Sequence, residues 1–188
     1  MGRSRFEELV LEMEKPGFMK TWMAIYLYGS SGSGKSHILA ALAFKLAREG
    51  KRILYFPDCS TLVKEFELCL RGALSFAFYD SDLLEEILSA RNEEELVRFW
   101  QNQRGHYILV DQLNALENCD NGPQIRRRLD GMAYRHHYIF SASANEKSCK
   151  DANMKQSSIT TIPYHGGINE VFHDSVILPS ELIVTRMR

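Results

Sequence analysis

The sequence lacks paired cysteines, long apolar runs and an excess of charge of either sign. Only four of its 188 residues are cysteine, and none lies in a Cys-x-x-Cys pair, so neither a zinc site nor a disulfide framework is expected. The sequence contains no run of about 18 apolar residues, the length needed to span a bilayer, and no apolar segment near the start predicts a signal peptide. The formal net charge of -1 gives no overall electrostatic reason to expect a nucleic-acid partner. We therefore expect an intracellular protein with reduced thiols and no membrane partner.

Apolar runs of strand length alternate with helical patterns along the chain. The predicted strands cover residues 22–28, 52–56, 106–110, 137–140 and 159–162. The predicted helices cover residues 1–15, 36–48, 60–79, 82–90, 93–103 and 123–135, with Asp82 and Asn92 as caps. Strands of this length that are buried on both faces and separated by helices indicate an α/β three-layer sandwich with a mainly parallel sheet of about five strands. Four phenylalanines are expected in the core, namely Phe44, Phe66, Phe76 and Phe78.

The loop between the first predicted strand and the next helix matches G-x-x-x-x-G-K-[ST] at every fixed position. The expected nucleotide-binding residues are Gly29, Ser30, Ser31, Gly32, Ser33, Gly34, Lys35, Ser36 and His37. The glycines allow backbone N–H groups to turn towards phosphate oxygens, and the helix N-terminus adds its positive dipole. Lys35 is expected to reach the β- and γ-phosphates, and Ser36 to ligate Mg²⁺. This P-loop therefore predicts a site for a nucleoside triphosphate, with ATP and Mg²⁺ as the favoured ligands.

A second motif follows the third predicted strand. The apolar run Tyr107–Val110 ends in Asp111, which has the form of a Walker B aspartate and is expected to hold the Mg²⁺, usually through water. The next residue is Gln112, where many ATPases of the additional-strand class have a glutamate. An amide cannot accept a proton as a carboxylate does, but it can orient a water molecule. Two interpretations stay open: ATP hydrolysis with Gln112 positioning the water, or a nucleotide-binding switch that hydrolyses poorly.

Two other classes of P-loop protein are less favoured by the sequence. A small-molecule kinase needs an arginine-rich substrate lid, and no such segment can be placed. A GTPase is less favoured because the chain has neither an N-K-x-D base-recognition motif nor a D-x-x-G switch motif. The P-loop contacts phosphates and not the base, so it does not by itself distinguish ATP from GTP.

Further polar residues near predicted strand and helix ends are weaker candidates. Asn145, after the fourth strand, resembles the sensor-1 position of AAA+ ATPases, with an ordinary strand-exit asparagine as the equal alternative. Glu117 could replace the missing base, but a solvated helix face is favoured for it. A solvated face is also favoured for the basic run Arg126–Arg128, ahead of an arginine finger or nucleic-acid contact. His136 and His137 are expected on opposite faces of a strand, which argues against a shared metal ion.

Several stretches of the chain, taken together, match a known family. They are Tyr28–His37, Leu39–Leu42, Gly50–Cys59, Val110–Leu116, Ser141–Asn145 and Gly166–Gly167. Over residues 20–170 the chain resembles the Crinkler effectors and the related retrotransposon hot spot (RHS) proteins. The Walker motifs are shared by many families, so the Pro-Asp-Cys and Asp-Gln-Leu-Asn-Ala-Leu stretches are the more specific part of the resemblance.

The resemblance implies an AAA+-like P-loop ATPase core, with ATP and Mg²⁺ as cofactors. The chain departs from the family in the length that follows this core, so we expect the helical lid to be missing or truncated. Gln112 is then a family trait, and a homo-oligomer is one expected assembly. We expect a helical extension over residues 1–18 and a P-loop NTPase domain over residues 19–178. Residues 179–188 are expected to form a C-terminal tail or the start of the truncated lid.

In that family the ATPase domain often precedes a nuclease domain, and some members act in a host nucleus. Nucleic acid is therefore expected as a partner only through a nuclease domain that is absent from this chain. The expected location is the cytoplasm or, for an effector of this type, the host nucleus. The alternatives are a non-catalytic nucleotide switch and a truncated fragment of a larger ATPase–nuclease effector.

Overall fold

A five-stranded parallel sheet forms the centre of the fold in the computed structural model, which describes residues 2–15, 24–117, 119–143 and 159–163. The strands are β1 (Ala24–Gly29), β2 (Ile53–Phe56), β3 (Tyr107–Val110), β4 (His137–Ser143) and β5 (Ile159–Pro163). Their order is β2-β3-β4-β1-β5, and each neighbouring pair is parallel. The predicted parallel sheet of about five strands is therefore confirmed, although β4 continues beyond its predicted end at Phe140.

Helices connect the strands and cover both faces of the sheet. They are α1 (Gly2–Glu14), α2 (Lys35–Arg48), α3 (Cys59–Ala77), α4 (Leu84–Ser89), α5 (Glu93–Asn102) and α6 (Gly122–Ala133). Side chains of β1 alternate between two buried clusters, because Tyr26 packs with α3, α5 and α6 whereas Ile25 and Leu27 pack with α1 and α2. The result is the predicted three-layer sandwich. In the part of the chain that the structure describes, no helix is long and apolar enough to cross a membrane.

Two of the four phenylalanines expected in the core lie at the surface instead. Phe66 and Phe78 are buried as expected, but Phe44 and Phe76 are 72% and 64% exposed. The buried leucines that precede them are Leu42 and Leu74. Phe44 and Phe76 each come two residues after a buried leucine, which places them on the far side of their helices. The prediction of burial from residue type was therefore wrong for these two side chains, because their positions around the helix determine their exposure.

Side-chain caps mark the start of two helices. Asn92 caps α5 as predicted, since its side-chain oxygen accepts a hydrogen bond from the Glu95 N–H at 3.0 Å. The predicted cap Asp82 is wrong, because α4 begins at Leu84 and no described side chain caps it. Asp58 accepts a hydrogen bond from the Ser60 N–H at 2.8 Å and so begins α3 directly after β2.

A short 3₁₀ helix, Leu113–Leu116, follows β3 and was not predicted from the sequence. It is held against the start of α6, where Gly122 lies beside the Leu116 backbone. A side-chain carbon at Gly122 would come within 1.7 Å of the Leu116 carbonyl oxygen, so no larger residue fits there without moving α6. This close approach fixes the segment that comes directly after Asp111.

The two adjacent histidines lie on opposite sides of the sheet, as the sequence predicted. The His136 ring stacks on Trp100 with the ring centroids 4.3 Å apart, whereas the His137 ring packs against Tyr107 at 4.8 Å. Burial lowers the pKa of each histidine to about 4. Both rings are therefore neutral at physiological pH and serve as packing groups in the core.

Candidate functional site

The candidate site lies at the edge of the sheet where β1, β3 and β4 end. The register pairs Gly29 with Ser143 and Val110 with Phe140, so these parallel strands end side by side. The P-loop leaves the end of β1 and leads directly into α2, and Asp111 follows β3 at the same edge. The topology therefore brings the two sequence motifs together at the carboxyl ends of the strands, where ligands bind in open α/β sheets.

Two glycines allow the P-loop its conformation. Gly32 and Gly34 have φ values of 75° and 95°, in the left-handed region that side chains disfavour. A side chain at Gly32 would meet no atom within 4 Å, so the backbone conformation, and not a lack of space, requires glycine there. The Ser33 N–H donates to the Ser30 carbonyl at 3.3 Å and closes the turn before α2 begins.

The Lys35 side chain is held inside the loop that precedes it. Its ammonium group donates to the Gly29 carbonyl at 2.9 Å, the Ser30 carbonyl at 2.7 Å and the Ser33 hydroxyl at 3.2 Å. Only 9% of the residue is exposed, and this burial lowers the pKa of Lys35, while the nearby Asp111 carboxylate opposes part of that shift. The ammonium group is thus desolvated and bonded mainly to neutral oxygens, which a phosphate could replace.

Asp111 is the second charged residue of the site, and it is only 2% exposed. Its N–H donates to the Phe56 carbonyl at 2.9 Å, which extends the ladder between β2 and β3. Its Oδ1 atom accepts one hydrogen bond from the Ser141 hydroxyl and another from the Gln112 N–H at 2.9 Å. These bonds compensate for the loss of water around the carboxylate and fix its orientation.

Gln112 has an uncommon backbone conformation for a residue with a side chain. Its φ of 56° and ψ of 42° lie in the left-handed region, and the residue is exposed. This conformation turns the chain after β3 into the 3₁₀ helix, where the Ala115 N–H donates to the Gln112 carbonyl at 2.9 Å. Glu117, the alternative base, lies exposed at the end of that helix. Strained backbone of this kind is enriched at functional sites.

The remaining predicted site residues lie around this centre or outside the described part of the chain. Ser36 and His37 are exposed in the first turn of α2. The exposed residues of the loop itself are Ser30, Ser31 and Gly32. Asn145, the predicted sensor-1 residue, lies outside the described residues, so its role stays a prediction.

Two members of the arginine run are engaged within the chain. Arg126 pairs with Asp130 at 3.1 Å, and Arg128 pairs with Glu93 at 2.8 Å. Arg127 is the exposed member of the run. Arg127 therefore agrees with the favoured interpretation of a solvated helix face, whereas Arg126 and Arg128 are half-buried and form ion pairs within the chain.

Three groups near Asp111 were not predicted as site residues from the sequence. They are the Ser141 hydroxyl, the Tyr55 phenol and the Cys59 thiol. Burial, with a smaller effect from the Asp111 charge, raises the pKa of Tyr55 and raises that of Cys59 to about 12. The thiol is therefore protonated and poorly nucleophilic. The sequence placed Ser141 directly after the predicted fourth strand, and the register of β3 with β4 is what brings it beside Asp111.

The donor groups at the site suit Mg²⁺ better than a softer metal. The Ser36 hydroxyl and the Asp111 carboxylate supply oxygen atoms, which Mg²⁺ prefers. Within the described ranges, no group of three or more His, Cys, Asp or Glu residues could hold a metal ion. A Mg²⁺ ion bound here would therefore depend on phosphate oxygens and water for most of its ligands.

Solved structures that resemble this chain identify the fold. The AMPPCP-bound DnaA of Aquifex aeolicus aligns with 85% of the chain at 15% identity and a TM-score of 0.53. The Aeropyrum pernix ORC1 protein in complex with DNA aligns with 86% at 15% identity and a TM-score of 0.54. The chain therefore shares the AAA+-like P-loop fold of these two structures. The AAA+-like core expected from the sequence is therefore confirmed at the level of the fold.

The likeness in sequence is narrower than the likeness in structure. A stretch of 35 residues is 51% identical to the chromosomal replication initiator protein DnaA 2 of Protochlamydia amoebophila (strain UWE25), which is 19% of this chain and 8% of that protein. No protein-family profile matches the chain. The chain also spans less than half of the solved structures, namely 46% of the Aquifex DnaA chain and 44% of the ORC1 chain.

We expect replacement of Gly32 by alanine to destabilise the protein by about 1 kcal/mol, because a side chain disfavours the φ of 75° at this position. Gly131 is a matched control, since it lies exposed in α6 and a side chain there would also meet no atom within 4 Å. Gly131→Ala should instead stabilise by about 1 kcal/mol, because alanine is favoured in helices. Thermal unfolding of both variants tests this. A stabilising effect of Gly32→Ala would contradict the left-handed conformation.

Proposed function

We propose that the chain is an ATP- and Mg²⁺-binding P-loop NTPase that hydrolyses ATP to drive a conformational or assembly change. The observation that carries the proposal is the P-loop, Gly29–Ser36, which joins β1 to α2 through two left-handed glycines and holds Lys35 near the buried Asp111. Such a loop offers N–H groups, a helix dipole and a lysine to phosphates. The AAA+ fold supports the proposal, and one structure that shares the fold is described as AMPPCP-bound.

Each predicted residue has a separate role in the proposed site. The backbone of the P-loop binds the phosphates, and Lys35 exchanges its carbonyl partners for β- and γ-phosphate oxygens. Ser36 and Asp111 hold Mg²⁺, which when bound neutralises charge on the phosphates. Gln112 orients the attacking water through its amide, and Asn145 contacts the γ-phosphate or that water. ATP is preferred to GTP because the base-recognition and switch motifs of GTPases are missing from the sequence.

A second candidate function is a nucleotide-binding switch that hydrolyses ATP poorly. The observation that favours it is Gln112 itself, because an amide cannot take the proton that a catalytic carboxylate takes. Gln112 is exposed and its backbone is left-handed, so its side chain can still approach a bound nucleotide. Hydrolysis and the switch thus share one site and differ in what Gln112 does there.

We also propose that the ATPase is of the Crinkler or RHS type. Its support is that the two more specific stretches, Pro57–Cys59 and Asp111–Leu116, meet at the candidate site. The Asp111 N–H bonds to the carbonyl of Phe56, directly before Pro57, and the Asp111 charge acts on the Cys59 thiol. The similarity therefore falls on residues that surround the proposed magnesium ligand. In this proposal the protein assembles with copies of itself and acts in the cytoplasm or in a host nucleus.

The same proposal gives the rest of the chain a domain role. Residues 19–178 form the NTPase domain, residues 1–18 are a helical extension, and residues 179–188 are a tail or the start of a lid. In this proposal nucleic acid is a partner only where a nuclease domain accompanies the NTPase domain. Leu9 and Met13 of α1 are buried in the same cluster as α2, so the described part of the extension packs on the proposed NTPase domain.

We expect Lys35→Ala to weaken Mg²⁺–ATP binding about 10- to 100-fold, because a charge-assisted hydrogen bond contributes about 1.5–3 kcal/mol. Isothermal titration calorimetry with and without Mg²⁺ measures the affinity, and mass measurement of the same samples shows whether nucleotide drives assembly. Lys45→Ala is the matched control, since this lysine lies on the same helix but pairs with Glu49. Equal ATP affinity in folded wild type and Lys35→Ala would overturn the proposed site.

We expect wild-type protein to release phosphate from ATP faster than Lys35→Ala, and Gln112→Asn to lower that rate about 10-fold. Asparagine tolerates the left-handed backbone, so this variant shortens the amide without adding strain. Gln112→Glu supplies a carboxylate and separates the two candidate functions. ATP binding without turnover in wild type, together with turnover in Gln112→Glu, would establish the switch instead of the ATPase.

A further inference from the structure

Ser141 is a buried polar residue in an otherwise apolar part of β4. It is 1% exposed, and the residues before it, Tyr138, Ile139 and Phe140, are equally buried. Because Phe140 pairs with Val110 in the parallel register, Ser141 lies beside Asp111 at the point where β3 ends. A buried hydroxyl is costly unless it forms hydrogen bonds, so the contacts that Ser141 makes need an explanation.

The Ser141 hydroxyl connects the two residues that follow β3. It donates a hydrogen bond to Oδ1 of Asp111, and its oxygen lies 3.3 Å from the Gln112 N–H, which also donates to Oδ1 at 2.9 Å. The hydroxyl, the carboxylate oxygen and the backbone N–H therefore form one closed group. This group stabilises both the side chain of Asp111 and the left-handed backbone of Gln112.

The arrangement distinguishes the two oxygens of the Asp111 carboxylate. Oδ1 accepts two hydrogen bonds, whereas Oδ2 accepts none from any residue that the structure describes. Rotation of the Asp111 carboxylate about its Cβ–Cγ bond would break both of these hydrogen bonds. Ser141 thus holds Oδ1 towards β4, and Oδ2 is the oxygen that the described residues leave for a metal ion or its water.

We propose that Ser141 is a positioning residue that orients Asp111 for Mg²⁺ binding. The inference depends on the proposed function, since it assigns Ser141 to the magnesium ligand of that same site. Outer partners of this kind change metal affinity by about 10- to 100-fold when they are removed. Phosphate oxygens and water supply most of the ligands here, so the effect of Ser141 lies near the lower end.

The test is a Mg²⁺ titration of protein bound to a fluorescent, non-hydrolysable ATP analogue. We expect Ser141→Ala to raise the half-saturating Mg²⁺ concentration about 10-fold while leaving affinity for the analogue in EDTA within about 2-fold of wild type. The matched control is Tyr138→Phe, which removes a buried hydroxyl from the same strand. That hydroxyl has no hydrogen-bond partner among the described residues, so its removal should leave the Mg²⁺ titration unchanged.

Two further variants separate positioning from folding. Ser141→Thr keeps the hydroxyl and should restore the wild-type Mg²⁺ titration. Ser141→Cys keeps a similar volume but donates weakly, so it should behave like Ser141→Ala and replaces it if alanine prevents folding. Thermal unfolding without nucleotide confirms that each variant is folded.

The result that overturns the inference is a wild-type Mg²⁺ titration in folded Ser141→Ala or Ser141→Cys. Equal loss of analogue binding with Mg²⁺ and in EDTA would overturn it too, because a positioning role acts through the metal. Failure of the proposed function looks different: wild-type protein itself would bind no analogue, or bind it with no dependence on Lys35. That result removes both proposals, whereas a normal wild-type titration with no effect of Ser141 removes only this one.

Discussion

Two charged side chains with almost no exposed surface set the physical conditions of the candidate site. Lys35 and Asp111 are 9% and 2% exposed, and a buried charge is tolerated only when neighbouring groups bond to it. Loop carbonyls and the Ser33 hydroxyl bond to the ammonium group, while Ser141 and the Gln112 N–H bond to the carboxylate. These partners lie at the carboxyl ends of β1, β3 and β4 or in the loops that directly follow β1 and β3. The sheet is therefore what makes both buried charges possible.

The partners of Lys35 also indicate how the proposed site would accept a phosphate in place of loop carbonyls. Two of its three hydrogen bonds go to neutral backbone carbonyls, and burial keeps the pKa of the ammonium group below its usual range. A phosphate carries the opposite charge, so its bonds to the ammonium group are stronger than those of a carbonyl. Exchange of carbonyls for phosphate oxygens thus gains electrostatic energy without exposing the lysine to water. The loop is closed around its own lysine but retains a preference for an anion.

Local patterns in the sequence were enough to predict the parallel sheet and the P-loop that follows its first strand. Strands β1 to β4 each contain an apolar run, and the loop between β1 and α2 is specified by glycines whose φ values only glycine adopts easily. Contacts between segments that are distant in the sequence could not be predicted from local patterns. Ser141 and Asp111 are 30 residues apart, and only the register of β3 with β4 brings them together. Residue type also gave the wrong prediction of burial for Phe44 and Phe76, because the position of each around its helix exposes the side chain to solvent.

The left-handed backbone of Gln112 could not be predicted from the sequence for a related reason. A glutamine carries no sequence signal for φ above zero, and the conformation depends on the group formed with Asp111 and Ser141 and on the packing of the 3₁₀ helix against Gly122. The residue to which we assign the attacking water in the proposed hydrolysis is thus also the one whose backbone conformation is least evident from its neighbours in the chain. The P-loop motif predicts that a nucleotide binds, whereas tertiary contacts determine the backbone conformation of Gln112 in the proposed site.

The most direct test of this account is a crystal structure with a non-hydrolysable ATP analogue and Mn²⁺, in which anomalous scattering locates the metal. We expect the metal beside Ser36 and on the Oδ2 side of Asp111. The Lys35 ammonium group should have left the Gly29 and Ser30 carbonyls for phosphate oxygens. A nucleotide bound elsewhere, with Lys35 still bonded to both carbonyls, would contradict the central claim that this loop is the triphosphate site.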